Sequence, residues 1–159
     1  MKTPIFTLKV LALFCAVALI LQWPGTSALA QEQQKSLYDR LGGEYAIATV
    51  VDSFIDLLLL NDVLNANPAI REARDRVPRA GLKFHVTNLV CQVTGGPCKY
   101  TGRSMKQAHA HLNITEKEWQ AMVMDFRRVL NNYKVPEQEQ KELFAIVEST
   151  KAEIVVSGK

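Results

Sequence analysis

The sequence predicts an all-α fold on three observations. Apolar residues recur at the three- and four-residue spacing of one helical face. Capping residues such as Ser, Thr and Pro stand where helices would begin, and Gly-Gly pairs stand where they would end. No alternating apolar pattern typical of strands, no repeat and no low-complexity tract competes with these signals.

The composition suits one globular domain. The chain has 159 residues, 48% of them hydrophobic and 22% charged, with a formal net charge of +3. These values exclude a disordered tail and a polybasic nucleic-acid binder. A chain of this size buries about two thirds of its unfolded surface, enough for one core and one enclosed cofactor.

The N-terminal segment has the pattern of a secretory signal peptide. A lysine-bearing start precedes a continuous apolar run over 10–21, and Ala28-Leu29-Ala30 fits the cleavage site. The run is shorter than the roughly 20 residues that a membrane span needs, which disfavours the alternative of an uncleaved anchor. We expect residues 1–30 to be a signal peptide and residues 31–159 to form the domain.

This expectation places the domain in the periplasm or outside the cell, with no membrane span after cleavage. Cleavage removes Lys2 and Lys9 and no acidic residue, so the mature chain is close to neutral and no electrostatic partner is implied. Cys91 and Cys98 remain, in an oxidising compartment.

The first half of the domain combines strong and weak helix signals. A short helix opens at Ser36 and ends at Gly42-Gly43, and a long apolar face runs over 47–60. The apolar signal thins over 61–81, so we expect a long connection that carries one short helix over 69–76.

The second half returns to a clear helical period. A helix over 82–93 stops at Thr94-Gly95-Gly96-Pro97, and a short amphipathic helix follows over 103–112. A Thr115–Glu118 capping box opens a long helix, and Pro136 opens the last one.

Three histidines, His85, His109 and His111, are the candidate metal ligands. On a helix His109 and His111 point about 200° apart, which disfavours a shared zinc ion. Neither a zinc motif nor the Cys-x-x-Cys-His of covalent c-type haem occurs. Taken alone, a helical histidine is more often solvated or buried in a core than a ligand.

Two glycine motifs and one histidine helix resemble a known family. The string Leu37-Tyr38-Asp39-Arg40-Leu41-Gly42-Gly43 resembles the opening motif of the group I truncated haemoglobins. The strings Thr94-Gly95-Gly96-Pro97, Tyr100-Thr101-Gly102-Arg103 and Met105-Lys106-Gln107-Ala108-His109 resemble their loop and proximal helix. The resemblance implies a shortened globin fold, a two-over-two helical sandwich around haem b.

The resemblance makes His109 the proximal ligand of the haem iron. One neutral ring nitrogen would bind iron while the other donates a hydrogen bond, for example to a backbone carbonyl. Met105 and Leu112 share its face and are expected to pack on the haem plane, whereas His111 faces solvent. Tyr100 is a further candidate, for contact with the haem propionates.

The distal side departs from the family pattern. Val86 and Ile55 stand where many members carry a ligand-bonding glutamine and a tyrosine, and Leu82 stands at the gate. We therefore expect an apolar pocket that includes Phe54, in which no side chain at these positions can hydrogen-bond a bound gas. Asn67-Pro68 falls in the region where the family's haem-edge phenylalanine is expected.

His85 is a second candidate iron ligand. Some cyanobacterial members of the family carry a histidine at the corresponding position, one residue before Val86, and it binds iron as a sixth ligand. Two alternatives stay open for His85: an exposed residue on the outer face of its helix, and a distal hydrogen-bonding residue.

Cys91 and Cys98 flank the Gly95-Gly96-Pro97 reversal. The reversal can bring their Cα atoms within the roughly 4.4 to 6.8 Å that a disulfide needs. We expect a disulfide, the alternative being two buried thiols.

The function predicted from the resemblance is that of an exported, monomeric haem b protein that reversibly binds dioxygen, nitric oxide or carbon monoxide. Iron that is six-coordinate through His85 would add an electron-transfer partner. A haem enzyme for nitric oxide dioxygenation or peroxide reduction is the alternative, which Ile55 and Val86 disfavour because such chemistry needs a preorganised donor. A third possibility is a haem-free helical domain.

Overall fold

The computed structural model describes residues 35–156, and helices cover most of that range. They are α1 (Leu37–Arg40), α2 (Gly43–Leu60), α3 (Asp62–Asn65), α4 (Pro68–Arg76), α5 (Arg79–Val93), α6 (Met105–His109), α7 (Glu116–Asn132) and α8 (Glu137–Ile154). An isolated parallel bridge between Ile114 and Val155 is the one β feature of the described range. The all-α prediction is confirmed. The predicted signal peptide lies outside the described residues.

Apolar side chains at helical spacing hold α2 against α5. Ile47, Val51 and Ile55 recur every fourth residue on α2 and are buried. Leu82 and Val86 of α5 pack against them. Burial of a side chain such as Ile47, Val51 or Ile55 contributes about 1.5–3 kcal/mol. A second cluster joins α1, α7 and α8 through Leu37, Leu130 and Leu143.

The region over 61–81 is more helical than the sequence predicts. The expected short helix is present as α4, but α3 precedes it and α5 begins at Arg79. The side chains of Asn61 and Asn67 cap α3 and α4, each accepting two backbone N–H bonds. A four-residue helix is too short to show an apolar period, so the prediction of one helix in this region was wrong.

The expected disulfide is present. Cys91, fully buried on α5, is bonded to Cys98, and their Cα atoms are 5.7 Å apart. The backbone N–H of Cys98 also donates to Sγ of Cys91 at 3.3 Å. The bridge therefore fastens the loop between α5 and α6 to the buried side of α5.

No helix within residues 35–156 is long and apolar enough to cross a membrane.

Candidate functional site

His109 is the last residue of α6, a five-residue helix with a complete N-terminal capping box. The Ser104 hydroxyl accepts from the Gln107 N–H at 3.2 Å, and the Gln107 side chain accepts from the Ser104 N–H at 3.3 Å. These two bonds define the start of a helix that is too short to be stable alone. The predicted helix over 103–112 is present but shorter at both ends.

One hydrogen bond fixes the ring of His109. Its Nδ1 lies 2.8 Å from the carbonyl oxygen of Met105, one turn earlier. A carbonyl can only accept, so Nδ1 carries the proton, and in the neutral ring the lone pair lies on Nε2. Among residues 35–156, Nε2 has no hydrogen-bond partner.

The surroundings favour the neutral ring. His109 is half-buried, and this burial lowers its pKa below the usual value because desolvation disfavours the charged form. The bond to Met105 opposes the shift, and the neighbouring His111 adds to it. A neutral imidazole with a free Nε2 and an occupied Nδ1 is the form that binds haem iron, so His109 fits the expected cofactor.

Two long-range hydrogen bonds fix the positions of α6 and of the turn that follows it. The side-chain N–H of Asn67 donates to the carbonyl oxygen of Leu112 at 2.9 Å. The backbone N–H of Lys106 donates to Oε2 of Glu153 on α8 at 3.2 Å. The predicted contact residues Met105 and Leu112 are both half-buried. The position of His109 therefore depends on two distant parts of the chain.

The predicted distal residues lie together and are apolar. Ile55 is buried, and Leu82 and Val86 pack against its cluster. Phe54 also contacts this cluster, and its ring lies 5.1 Å from that of Phe126 on α7. Ile55, Leu82 and Val86 have no polar side-chain atom, so this wall cannot donate a hydrogen bond to a ligand.

His85 is not exposed, which excludes the alternative of a solvated residue on the outer face of its helix. Its ring is half-buried, with centroids 5.5 Å from Phe84 and 6.1 Å from Tyr100, edge-on to both. Its Nδ1 is buried, and the described part of the chain offers it no hydrogen-bond partner. Such an orphaned polar atom is unfavourable unless something else binds it. The ring of His85 therefore lies beside that of Tyr100. Within residues 35–156, no hydrogen bond joins His85 to His109.

Tyr100 is held by its own loop and by α5. Its hydroxyl donates to the carbonyl oxygen of Arg103 at 2.7 Å, and its backbone N–H donates to Oε1 of Gln92 at 2.8 Å. Gln92, which lies seven residues after His85 on the same face of α5, is not among the residues that the sequence predicts for the site. Contact of Tyr100 with haem propionates stays a prediction.

A cleft beside α4 carries positive charge. It encloses about 310 Å³ and is lined by Ala73, Arg76, Val77, Arg103 and His111. His111 is exposed, as the sequence predicts. Two arginine side chains at one opening suit a ligand that carries carboxylates.

The sequence matches one family over most of its length. Residues 36–156 match the model of the bacterial-like globins. The group 1 truncated haemoglobin of a Synechocystis species is 29% identical over 115 residues, which cover 70% of this chain and 88% of the relative. That of Nostoc commune is 30% identical over 87 residues, 55% of this chain and 69% of the relative.

Solved structures show the same fold. The Fe(III) form of the truncated haemoglobin from Tetrahymena pyriformis aligns with a TM-score of 0.65 and 22% identity, covering 79% of this chain and 100% of that one. The 2/2 haemoglobin of a Synechococcus species, in the cyanomet state and with covalently attached haem, aligns with a TM-score of 0.60 and 26% identity, covering 74% and 94%. The predicted two-over-two sandwich is confirmed, and the chain belongs to the bacterial-like globin family as a group I truncated globin.

Proposed function

We propose that this chain is an exported globin that holds haem b through Nε2 of His109 and reversibly binds a diatomic gas at the iron. The observation that carries the proposal is the 2.8 Å bond from Nδ1 of His109 to Met105, which leaves the Nε2 lone pair free in a half-buried position. Family membership supports it, since relatives are named truncated haemoglobins. The haem supplies the iron to which the gas binds.

The apolar side chains of Ile55, Leu82 and Val86 affect the relative affinities for the three candidate gases. Bound dioxygen gains polarity and is stabilised by a nearby donor, which Ile55, Leu82 and Val86 do not provide. Carbon monoxide and nitric oxide depend less on such a donor. Among the three candidate gases, we therefore expect the weakest relative affinity for dioxygen.

A second part of the proposal concerns His85 as a ligand of the iron. Its ring is half-buried, and its Nδ1 makes no hydrogen bond within residues 35–156 that would have to break if the ring turned toward the iron. This supports a role for His85 as a sixth iron ligand that an incoming gas displaces. Six-coordinate iron would suit an electron-transfer partner. Once displaced, His85 could donate a hydrogen bond to the gas, which Ile55, Leu82 and Val86 cannot, and this favours nitric oxide dioxygenation or peroxide reduction as the second candidate function.

Export is proposed from the pattern over residues 1–30. A disulfide between Cys91 and Cys98 accords with an oxidising compartment such as the periplasm or the exterior. We expect the mature chain to begin at Gln31 and to be a monomer. N-terminal sequencing of the secreted protein tests the first expectation, and sedimentation tests the second.

Absorption spectra of the haem-reconstituted mature chain test the site. We expect the reduced wild type to show the sharp paired bands of low-spin six-coordinate haem, and His85→Ala to convert them to a broad high-spin band. His111→Ala, which removes an exposed histidine, serves as the control and should match the wild type. Carbon monoxide should bind faster to His85→Ala because no ligand has to leave.

Two results would contradict parts of this proposal. A wild type that is already high-spin, and unchanged in His85→Ala, would exclude His85 as a ligand and leave an open apolar pocket. A wild type that takes up no haem would exclude the haemoglobin function altogether.

A further inference from the structure

Glu153 and His109 are bound to opposite sides of one peptide group. Oε2 of Glu153 accepts from the N–H of Lys106 at 3.2 Å, and Nδ1 of His109 donates to the carbonyl oxygen of Met105 at 2.8 Å. That N–H and that carbonyl belong to the single planar peptide unit between Met105 and Lys106. A carboxylate on α8 is thereby connected to the ring on α6 through two hydrogen bonds.

A peptide group is polarised by what binds its two sides. A carboxylate that accepts from the N–H favours the resonance form in which the carbonyl oxygen is more negative. The oxygen of Met105 then accepts more strongly from Nδ1–H of His109, and electron density at Nε2 rises. Hydrogen-bond partners of metal-binding histidines act in this direction, fixing the ring and raising its basicity.

The position of Glu153 is unfavourable for its own helix. It stands in the last turn of α8, where the helix dipole favours cations and disfavours an acidic side chain. The contact with Lys106 offsets this cost. Just beyond Glu153, the N–H of Val156 donates to the carbonyl oxygen of Ile114 at 2.9 Å, which holds the end of α8 against the segment that follows α6.

We propose that Glu153 is a positioning residue for the haem ligand, acting through the Met105–Lys106 peptide to orient His109 and to strengthen its bond to iron. This inference rests on the proposed function, in which His109 holds the iron. The bond from Lys106 to Glu153 is solvent-exposed. Its effect is therefore smaller than that of a buried carboxylate bonded directly to the ring.

Two substitutions separate charge from geometry. Glu153→Gln keeps an acceptor oxygen and removes the charge, and Glu153→Ala removes both. Glu148→Gln is the matched control, because Glu148 is another exposed acid of α8, and its carboxylate lies 3.6 Å from Nζ of Lys151. All three are compared as haem-bound full-length mature chains in the His85→Ala background, which leaves the iron open on the distal side.

The readouts are the iron–histidine stretching frequency of the reduced protein, its reduction potential, and the rate of haem loss. We expect Glu153→Gln and Glu153→Ala to lower the frequency and raise the potential, with Ala at least as strong as Gln. Haem loss should rise by up to about 10-fold, the lower end of the effect of removing such a partner. Glu148→Gln should leave all three unchanged.

Measurements in high salt distinguish an effect of Glu153 that passes through the Met105–Lys106 peptide from a through-space effect of its charge. Salt screens the through-space influence of an exposed charge. A shift that persists in high salt is carried through the peptide, and one that vanishes contradicts the proposal. In addition, the amide proton resonance of Lys106 should move upfield in Glu153→Gln and stay in place in Glu148→Gln.

The failure of this inference is distinguishable from that of the proposed function. If Glu153→Gln in the His85→Ala background matches the His85→Ala parent in frequency and potential, Glu153 is only a structural cap and the inference is wrong, while haem bound through His109 still stands. If His109→Ala takes up haem with an unchanged spectrum, both are wrong.

Discussion

The ring of Tyr38 lies over Gly96, and this contact joins the two glycine motifs of the chain. A Cβ atom on Gly96 would lie 2.7 Å from Sγ of Cys91 and even closer to the ring of Tyr38. Beside this contact, the backbone N–H of Tyr38 donates to the carbonyl oxygen of Thr94 at 2.8 Å. The start of the domain therefore holds the loop that leads to His109.

We expect Gly96→Ala to lower the free energy of unfolding by about 1–3 kcal/mol, because neither the ring nor the disulfide can move aside freely. Gly81→Ala is the control. Gly81 lies inside α5 with open space around it, so alanine there should stabilise the chain by about 0.5–1 kcal/mol. Urea unfolding measures both, and a Gly96→Ala variant as stable as the wild type would contradict the close packing.

The bridge between Cys91 and Cys98 should stabilise the fold. Loss of a disulfide that closes so short a loop costs about 2–3 kcal/mol. We expect a dithiol reductant to lower the unfolding free energy of the mature wild type and to leave Cys98→Ser unaffected. Non-reducing mass spectrometry should give the wild type a mass two hydrogens below that of the dithiol form, and an unshifted mass would rule out the bridge.

The lowered pKa of His109 predicts a pH dependence of the haem-free fold. In the unfolded chain the ring takes up a proton as the pH falls through about 6.5. The folded chain does so at lower pH, since burial lowers the pKa. Stability is therefore lost as the pH falls through this interval, and this group has no effect on stability above it.

His109→Leu isolates that contribution, because leucine does not titrate. We expect the wild type to lose stability relative to His109→Leu between neutral pH and about pH 5, as measured by urea unfolding of the haem-free chains. Parallel pH profiles for the two chains would show that His109 is not buried in the neutral form.

The long helices could be predicted from the sequence and the short ones only in part. α2, α5, α7 and α8 each present an apolar face over several turns, which gives a clear period. α3 has a single turn and no period, and its local signals are the capping residue Asn61 and the acidic Asp62 in its first turn. α6 ends at His109, earlier than predicted, and the chain then bends through Asn113, which has a φ of 51°.

For the site, the sequence pointed to His109 as the candidate ligand but not to the residues that hold His109 in place. His109 could be recognised from the motif Met105-Lys106-Gln107-Ala108-His109, and a hydrogen bond from its ring to a backbone carbonyl was expected. That carbonyl belongs to Met105 because residues four positions apart lie one above the other on a helix. The bonds from Asn67 to Leu112 and from Lys106 to Glu153 join residues more than forty positions apart. No local pattern encodes such pairs, because they depend on how the helices pack.

The role of His109 is tested most directly by His109→Gly, reconstituted with haem and examined by absorption with and without free imidazole. We expect the variant to lose the wild-type spectrum and free imidazole to restore it, because the small ring can supply the missing neutral nitrogen. A variant that keeps the wild-type spectrum without imidazole would show that another group holds the iron.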